Sequence, residues 1–214
     1  MINKQTVKTI RGSYHARGHN EGFRTYNLGF GFIHYSLIRN IRPEKVLCIG
    51  SDKGYIPSIC ALACKNEEKG KVDFVDAGYA WNIPSEQKYA WGGEGIWKNL
   101  PKDYWSPLEI EDYIKLYVTT TEKFITKNKD NFYGYITIDG DHSYEGVKKD
   151  FELLWPRLLP GGFICLHSTL REDKWGGTMA ACGKCGVKKF WNEIKDNYKH
   201  FEIKFTAGLG VIQK

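Results

Sequence analysis

Residues 136–146 read Ile136-Thr-Ile-Asp-Gly-Asp-His-Ser-Tyr-Glu-Gly146 and change within a few positions from apolar to charged. The run 135–138 is typical of a buried strand in a parallel sheet. Asp139, Asp141 and His142 then follow the carboxyl end of that strand. In open α/β sheets, ligands bind at this edge. Two carboxylates and an imidazole there indicate metal binding, proton transfer or both.

Strand-like and helix-like segments alternate along the rest of the chain, which predicts a parallel α/β sheet. Residues 144–159 carry a helical apolar face, and Pro160-Gly-Gly162 is predicted to end that helix. The other predicted helices are 28–40, 57–65, one beginning at 121, and 187–198. The predicted strands are 45–49, 71–75, 114–118, 134–138 and 163–166, with a closing antiparallel pair at 201–205 and 208–213.

Bulk composition fits one globular domain over residues 1–214. The net charge of +6 comes from scattered basic residues, so nucleic acid is not expected as a partner. No segment resembles a signal peptide or a membrane span, and no membrane partner is expected. Most of the cysteines lie in apolar runs that are typical of a core, which favours a reducing, cytoplasmic location.

The first predicted strand leads into a turn with two glycines, Gly50-Ser-Asp-Lys-Gly54. Glycine lets the backbone approach a ligand closely, and the following helix N-terminus favours an anionic group. The dinucleotide fingerprint G-x-G-x-x-G is absent, and Asp52 occupies its middle glycine position. A tightly bound pyrophosphate is therefore not expected. Taken alone, the turn is equally compatible with a plain strand-to-helix connection.

Polar side chains also follow the second and third predicted strands. Asp76 ends the second strand, where its carboxylate could accept both hydroxyls of a ribose or simply act in a turn. We favour ribose because the residue follows a hydrophobic strand next to the glycine turn. Thr121, in the run Thr119-Thr-Thr121, could contact an adenine or cap the helix that begins there.

The histidines differ in their sequence context. His142 could be a general base, or it could be an N-terminal cap or make a helix-start hydrogen bond, and the two acids beside it favour the base. His167 follows an apolar strand and could bind a metal, bind substrate or be a buried structural histidine. The other histidines have no comparable neighbours, and the first two of them lie in a polar start that we expect to be mobile. They are His15, His19, His34 and His200.

Two segments interrupt the alternation and are predicted to lie on the substrate side, namely 77–112 and 170–187. The first is aromatic-rich and could be a substrate wall or a surface excursion packed by its own side chains. The second contains Cys182-Gly-Lys-Cys185, which is half of a zinc site at most and fits a loop over the acceptor site better. Residues 1–40 are predicted to form a helical cap with an aromatic stripe. The stripe could cap the cofactor or shape the acceptor pocket, but core or a dimer face is favoured; its members are Phe23, Tyr26, Phe30, Phe32 and Tyr35.

These motifs together resemble the class I S-adenosylmethionine-dependent methyltransferases. Within that superfamily the chain is similar to the group with an Asp-Gly-Asp-His-Ser-Tyr motif and to metal-dependent sugar O-methyltransferases of macrolide and polysaccharide pathways. The resemblance covers about residues 40–214. Its most specific parts are Ile138-Asp-Gly-Asp-His-Ser-Tyr-Glu-Gly-Val147 and Leu159-Pro-Gly-Gly-Phe-Ile164. Further similar stretches are Trp91–Trp97 and Gly186–Trp191.

The resemblance implies a Rossmann-like sheet of seven mostly parallel strands, with the last strand antiparallel and helices on both faces. It implies that the cofactor is S-adenosyl-L-methionine (SAM), with Asp76 on its ribose, and that a divalent cation, Mg²⁺ or Mn²⁺, binds at Asp139 with His142 as the base. The positions implied around the methionine portion of SAM are Gly50, Ser51, Asp52 and Gly54.

The chain departs from that pattern after the fifth strand, where two acidic metal ligands usually occur. His167 and Ser168 stand there instead. Serine is a weak ligand for a hard cation, and histidine favours softer metals. Metal use is therefore predicted to be weakened, lost or switched, with Asp139, His167 and Ser168 as the candidate ligands.

The sequence predicts an enzyme that methylates a hydroxyl of a sugar or related small metabolite. N-methylation of a small amine is the alternative within the same family, since an amine needs less activation. A non-catalytic cofactor-binding protein is the alternative outside enzymes, although such a protein has no need of Asp139 and His142. The expected partner is a small acceptor, a saccharide, and the aromatic N-terminal helix leaves a homodimer open.

Overall fold

The computed structural model describes residues 2–14, 19, 27–78, 96–171, 174–175, 178–179 and 185–214. Seven strands in these ranges form one sheet in the order β3-β2-β1-β4-β5-β9-β8. They are β1 (Lys45–Ile49), β2 (Lys71–Asp76), β3 (Ile114–Val118), β4 (Tyr133–Ile138), β5 (Leu158–His167), β8 (Lys199–Ile203) and β9 (Leu209–Gln213). A separate two-stranded ribbon joins β6 (Lys174–Trp175) to β7 (Thr178–Met179).

The directions of the strands confirm the predicted Rossmann-like fold class. Strands β1 to β5 are all parallel to one another, whereas β9 is antiparallel to both β5 and β8. Because the strand order reverses between β1 and β4, the connections that follow them lead to opposite faces of the sheet, and the crevice between these connections is the usual ligand position in such sheets. The register pairs Ile49 with Ile138, so residues 50 and 139 begin side by side at this edge.

Helices cover both faces of the sheet. Alternate residues of β1 point to opposite sides: Val46 and Cys48 join one buried cluster, and Leu47 and Ile49 join the other. The first cluster includes side chains of α1 (Lys4–Ser13), α2 (Phe30–Ile41) and α3 (Tyr55–Asn66). The second includes side chains of α4 (Thr121–Lys127), α5 (Tyr144–Leu154) and α6 (Val187–Ile194). Short 3₁₀ turns lie at Ile96–Asn99, Ser106–Leu108, Glu111–Tyr113, Trp155–Arg157 and Lys195–Asn197.

Helix α5 is shorter than the sequence predicts. It ends at Leu154, and the strand β5 has already begun at Leu158. The apolar spacing runs on past the end of the helix because Leu158 is buried as a strand residue. Pro160-Gly-Gly162 therefore lies inside β5, where a side chain at Gly162 would meet the carbonyl oxygen of Gly134. The glycine allows close approach of two strands instead of ending a helix.

The N-terminal part contains the helix α1, whose bounds the predicted helical cap over residues 1–40 did not specify. Helix α1 buries Val7 and Ile10, and Tyr14 follows it and stacks on Trp105 at 5.7 Å between ring centroids. The helix begins at Asn3, whose side chain accepts a hydrogen bond from the backbone N–H of Thr6. Of the predicted aromatic stripe, Phe30 and Tyr35 are buried and Phe32 is partly exposed. Phe23 and Tyr26 lie outside the described residues.

The four cysteines predicted to lie in the core are buried and unpaired with one another by disulfides: Cys48, Cys60, Cys64 and Cys165. In the described ranges, no helix is long and apolar enough to cross a membrane.

Candidate functional site

The ends of β1 and β4 are joined to neighbouring strands by backbone hydrogen bonds that continue the sheet for one more step. The N–H of Gly50 donates to Val75 O at 2.8 Å, and the N–H of Asp139 donates to Ile49 O at 2.8 Å. Because backbone bonds continue past the end of each strand, the side chain of Asp139 starts from a rigid position. A site built on such an edge needs little rearrangement to act.

Three histidines surround the carboxylate of Asp139. His142 Nε2 lies 3.0 Å and His167 Nδ1 2.6 Å from Oδ1, and His19 Nε2 lies 3.1 Å from Oδ2. We call these four residues the Asp139 cluster. An ionised carboxylate can only accept hydrogen bonds, so each facing ring nitrogen carries the hydrogen in this arrangement.

The electrostatics of the cluster favour one ionised carboxylate among imidazoles. Burial alone would raise the pKa of Asp139, but the charge of His167 and the hydrogen bonds from His142, His167 and His19 hold it well below its usual value. Burial, followed by the repulsion of His167, lowers the pKa of His19 to about 4. His19 is therefore neutral at pH 7 and acts as a donor without a positive charge.

His19 is held by aromatic rings on several sides. Its ring stacks on His167 at 4.1 Å and on Tyr55 at 5.7 Å between centroids, and it meets the edge of Phe30 at 6.2 Å. Sequence reasoning missed this residue and expected its surroundings to be mobile. No local pattern could have found it, because its partner Asp139 lies 120 positions away in the chain.

His142 is placed by the start of α5. The side chain of Ser143 accepts a hydrogen bond from the backbone N–H of Gly146 and caps the helix, so the cap is Ser143 and not His142. The carbonyl oxygen of His142 accepts a hydrogen bond from the N–H of Gly186 at 2.8 Å. The backbone of His142 is thus fixed at both the helix and the loop before α6, while its ring faces Asp139.

Ser168 lies beside the cluster in an unusual backbone conformation. Its φ of +72° is in the left-handed region, which a non-glycine residue adopts only when its surroundings enforce it. Its Oγ lies 3.2 Å from His167 Nδ1. Among the described His, Cys, Asp and Glu side chains, one group converges as a metal site requires. It consists of His19, Asp139 and His167, whose ligand atoms all lie within 4.8 Å of one another.

The glycines of the first turn have a structural reason of their own. Gly50 has a φ of +68°, and a Cβ there would collide with the carbonyl oxygen of Asp139 and with Gly140 Cα. Gly54 has a φ of +77°, and its Cβ would come within 2.9 Å of Trp97 and Trp105. The turn therefore packs directly against the backbone of the Asp139 cluster on one side and against two indoles on the other.

We expect Gly50→Ala to destabilise the fold by about 2–5 kcal/mol, from left-handed strain plus overpacking. Gly161→Ala is the matched control, because Gly161 has a φ of +77° and nothing within 4 Å of an added Cβ. The control should lose only about 1–2 kcal/mol from the strain. Urea unfolding of both variants measures the difference. Equal losses of unfolding free energy in the two variants would show that the close approach of residue 50 to the backbone of Asp139 adds no cost.

The carboxylate of Asp76 points back to the first turn. Its Oδ1 accepts a hydrogen bond from the N–H of Gly78 at 2.8 Å, and the carboxylate also accepts one from the N–H of Ser51. Burial raises the pKa of Asp76 to about 6, and these two hydrogen bonds oppose the rise. Asp76 therefore does act in a turn, as one of its two interpretations expected. The hydrogen bond from Ser51 also places the carboxylate beside Gly50–Gly54, the turn predicted to bind the cofactor.

Thr121 has a different partner from either of those considered from the sequence. The N-cap of α4 is Thr120, whose side chain accepts a hydrogen bond from the N–H of Lys123. The interpretation of Thr121 as the cap is therefore wrong. Its hydroxyl bonds instead to the buried carboxyl of Asp150, whose pKa burial raises to about 6.

The described part of segment 77–112 packs on the first turn. Trp97 Nε1 donates to Asp52 O at 3.1 Å, and the hydroxyl of Tyr104 donates to Lys53 O at 2.9 Å. Trp105 stacks on Trp97 at 6.0 Å. This part is packed by its own aromatics, as one of the two interpretations expected. Residues 79–95 and half of the segment 170–187, including Cys182, lie outside the described residues.

The model of a family described as a methyltransferase domain matches residues 47–169, which is more than half of the chain. No protein with curated functional information matches.

Solved structures share the fold over nearly the whole chain. They include the O-methyltransferase from Bacillus cereus in complex with SAH, at 12% identity and a TM-score of 0.62, covering 100% of this chain and 92% of that one. Another is the O-methyltransferase TomG from Streptomyces achromogenes, involved in tomaymycin synthesis, in complex with SAM, at 13% identity, a TM-score of 0.62 and coverages of 96% and 89%. A third is SAH-bound Podospora anserina methyltransferase PaMTH1, at 14% identity, a TM-score of 0.63 and coverages of 100% and 88%.

Proposed function

The chain belongs to the methyltransferase domain family, and from that premise we propose that it transfers a methyl group from SAM to a hydroxyl of a sugar or related small metabolite. The observation that carries the proposal is the contact of His142 Nε2 with Asp139 Oδ1, 3.0 Å apart, at the carboxyl end of β4. This contact sets an imidazole against a carboxylate that can orient it, at the edge where ligands of such sheets bind, and that supports a general base there. Oxygen as the acceptor atom is supported by the O-methyltransferases among the similar structures.

The residues proposed to hold SAM lie around the first turn. Gly50, Ser51, Asp52 and Gly54 would surround the methionine portion, and Asp76 would accept the ribose hydroxyls. What supports this is a buried carboxylate with a raised pKa directly beside the N–H of Ser51. The proposed contact of Thr121 with adenine rests on its position alone, because its hydroxyl already bonds to Asp150.

His142 is proposed to take the proton from the acceptor hydroxyl. With Nε2–H donated to Asp139, the lone pair of the ring lies on Nδ1, which is the atom that would receive the proton. SAM supplies a methyl group on a sulfonium, which leaves as SAH. Alignment of the acceptor oxygen with that methyl carbon would provide much of the rate, since well-oriented reactants reach effective molarities of about 10⁵–10⁸ M.

A divalent cation is part of the proposal. His167 and His19 offer ring nitrogens and Asp139 offers oxygens to one point, so the residues present fit a dication. A bound cation would lower the pKa of the acceptor hydroxyl. The cytoplasmic location, the saccharide nature of the acceptor and the homodimer stay predictions from the sequence.

The test is calorimetric titration with SAM and SAH, followed by assay of SAH formation with free sugars, nucleotide-linked sugars and small amines as acceptors. Saturable SAM binding with SAH formed only from hydroxyl acceptors would support the proposal. Turnover of amines alone would replace it with N-methylation. Absence of binding of either ligand would overturn it.

Asp76→Asn should weaken SAM binding about 10–100-fold, because hydrogen bonds to a charged partner contribute roughly 1.5–3 kcal/mol. Asp73→Asn is the matched control: Asp73 lies on the same strand, but its carboxylate accepts a hydrogen bond from Tyr133 at 3.0 Å. Calorimetry on both variants measures the effect. Equal affinities for SAM in the two variants would show that Asp76 does not bind the cofactor.

The same carboxylate gives a pH signature. Because burial raises the pKa of Asp76 to about 6, the group becomes neutral as the pH falls below that value. The affinity of the wild-type protein for SAM should then decrease below pH 6, since the neutral acid is a poorer acceptor for ribose hydroxyls. This decrease should be absent from Asp76→Asn.

A further inference from the structure

We propose that His19, Asp139 and His167 form a binding site for a borderline transition-metal dication of the Zn²⁺ or Co²⁺ class, with His19 as a ligand supplied by the N-terminal part of the chain. The site rests on the proposed methyl-transfer function for its role, and it differs from the ligand set predicted from the sequence by including His19 and by excluding Mg²⁺ as the preferred ion.

Geometry is the first support. The three ligand atoms lie within 4.8 Å of one another, and His19 Nε2 and His167 Nδ1 approach different oxygens of the same carboxylate at 3.1 and 2.6 Å. They come from residue 19, the end of β4 and the end of β5. Three parts of the chain distant in sequence thus bring ligand-type atoms to one point.

Charge is the second support. His19 and His167 are stacked at 4.1 Å, which disfavours a positive charge on both rings. Their side chains are each 5% exposed, and that of Asp139 is 12% exposed. The cluster therefore presents ring nitrogens and one negative carboxylate in a shielded place. A dication would replace the hydrogen on each facing ring nitrogen, and that hydrogen either moves to the other ring nitrogen or leaves as a proton.

The chemistry of the donors selects the metal. Two imidazole nitrogens and one carboxylate are typical ligands for Zn²⁺, Co²⁺ or Fe²⁺, whereas Mg²⁺ prefers an octahedral shell of oxygens and keeps several waters. Three protein ligands also leave a coordination position open, as catalytic sites require. Ser168 Oγ lies 3.2 Å from His167 Nδ1, the atom proposed to bind the ion, so its hydroxyl stands directly beside the ligand set.

Packing against neighbouring rings holds the imidazole of His19 in place. His19 lies between His167 and Tyr55, with Phe30 at its edge, so its orientation is fixed before any ion binds. A metal site whose ligands are already oriented loses little conformational entropy on binding. The competing account is that the three histidines simply donate hydrogen bonds to Asp139, and metal titration separates the two.

The experiment uses untagged full-length protein stripped of metal with a chelator. Zn²⁺ and Mg²⁺ are titrated by calorimetry and Co²⁺ by its visible absorption, for wild type, His19→Gln, His167→Gln and the control His200→Gln at an exposed histidine. We expect one equivalent of Zn²⁺ or Co²⁺ to bind to wild type and control. Each ligand variant should lose more than about 100-fold in affinity, since removal of even an outer partner of a metal ligand costs about 10–100-fold.

Wild-type protein alone gives a second readout, which does not depend on the folding of any variant. X-ray absorption at the zinc edge should show two imidazole ligands and oxygen. The proposal would be overturned if neither Zn²⁺ nor Co²⁺ showed saturable binding, or if Mg²⁺ bound in preference to them. It would also be overturned if the affinities for Zn²⁺ and Co²⁺ were unchanged in His19→Gln, or if zinc were bound without imidazole.

The two proposals fail separately. If Zn²⁺ binds as expected and SAM does not, the metal site stands and the methyl-transfer function falls. If SAM binds and is turned over by the stripped protein, and Zn²⁺ shows no saturable binding, the methyl-transfer function stands and the metal site falls.

Discussion

His142→Gln should lower kcat by about 10²–10⁴-fold, the range that a positioned general base contributes. Glutamine is close to histidine in size and can still donate a hydrogen bond to Asp139, but it cannot take a proton at neutral pH. The affinity for SAM should stay within about twofold of wild type, which calorimetry verifies. The measurement is the rate of SAH formation with whichever of the sugars, nucleotide-linked sugars and amines proves to be the acceptor.

His200→Gln serves as the control for this substitution, since His200 is exposed and its ring nitrogen Nδ1 lies 3.1 Å from Tyr198 O. It should leave kcat unchanged. If His142→Gln also leaves kcat unchanged while the protein is folded, proton removal does not depend on His142. If the lost rate is accompanied by an equal loss of SAM affinity, the residue acts in binding and not as the base.

Asp139→Asn should reduce kcat by about 10³–10⁴-fold, comparable to the loss caused by Asp→Asn in a Ser-His-Asp triad, where the wrong histidine tautomer results. Here one carboxylate orients three rings, and the amide of Asn offers one acceptor oxygen where Asp139 offers two. At least one ring must then change its tautomer or turn away. The affinity for Zn²⁺ should also fall, because the only negative ligand of the proposed site is removed.

The double variant His142→Gln with Asp139→Asn tests whether the two residues act as a unit. If Asp139 works by orienting His142, the double variant should be hardly slower than the slower single variant. Losses that multiply would mean that Asp139 and His142 contribute independently. Thermal unfolding of each variant, followed by circular dichroism, confirms that the comparison is between folded proteins.

The sequence predicted the sheet well because its strands are short apolar runs that end in polar residues. Strand β4 and the start of α5 are the clearest case: the run 135–138 is buried, and Ser143 caps the helix directly after the charged loop. The apolar pattern failed where two elements meet without a polar break. The end of α5 and the start of β5 share one apolar spacing, so both boundaries were predicted five residues too late.

The candidate site was predictable only where it is local in sequence. Asp139 and His142 are three positions apart, and their contact follows from one loop. His19 joins them through aromatic stacking with Tyr55 and His167, which no spacing in the chain encodes. The partner of Thr121 was missed for a similar reason, because Asp150 faces it from another helix.

The indole of Trp97 donates its N–H to the backbone of Asp52, inside the loop proposed to receive SAM, and stacks on Trp105. Indole emission responds to changes in hydrogen bonding and to nearby charge. The protein therefore carries its own optical reporter at the mouth of the cofactor loop. Stopped-flow fluorescence could follow the arrival of an unlabelled sulfonium ligand in real time, before any acceptor is known.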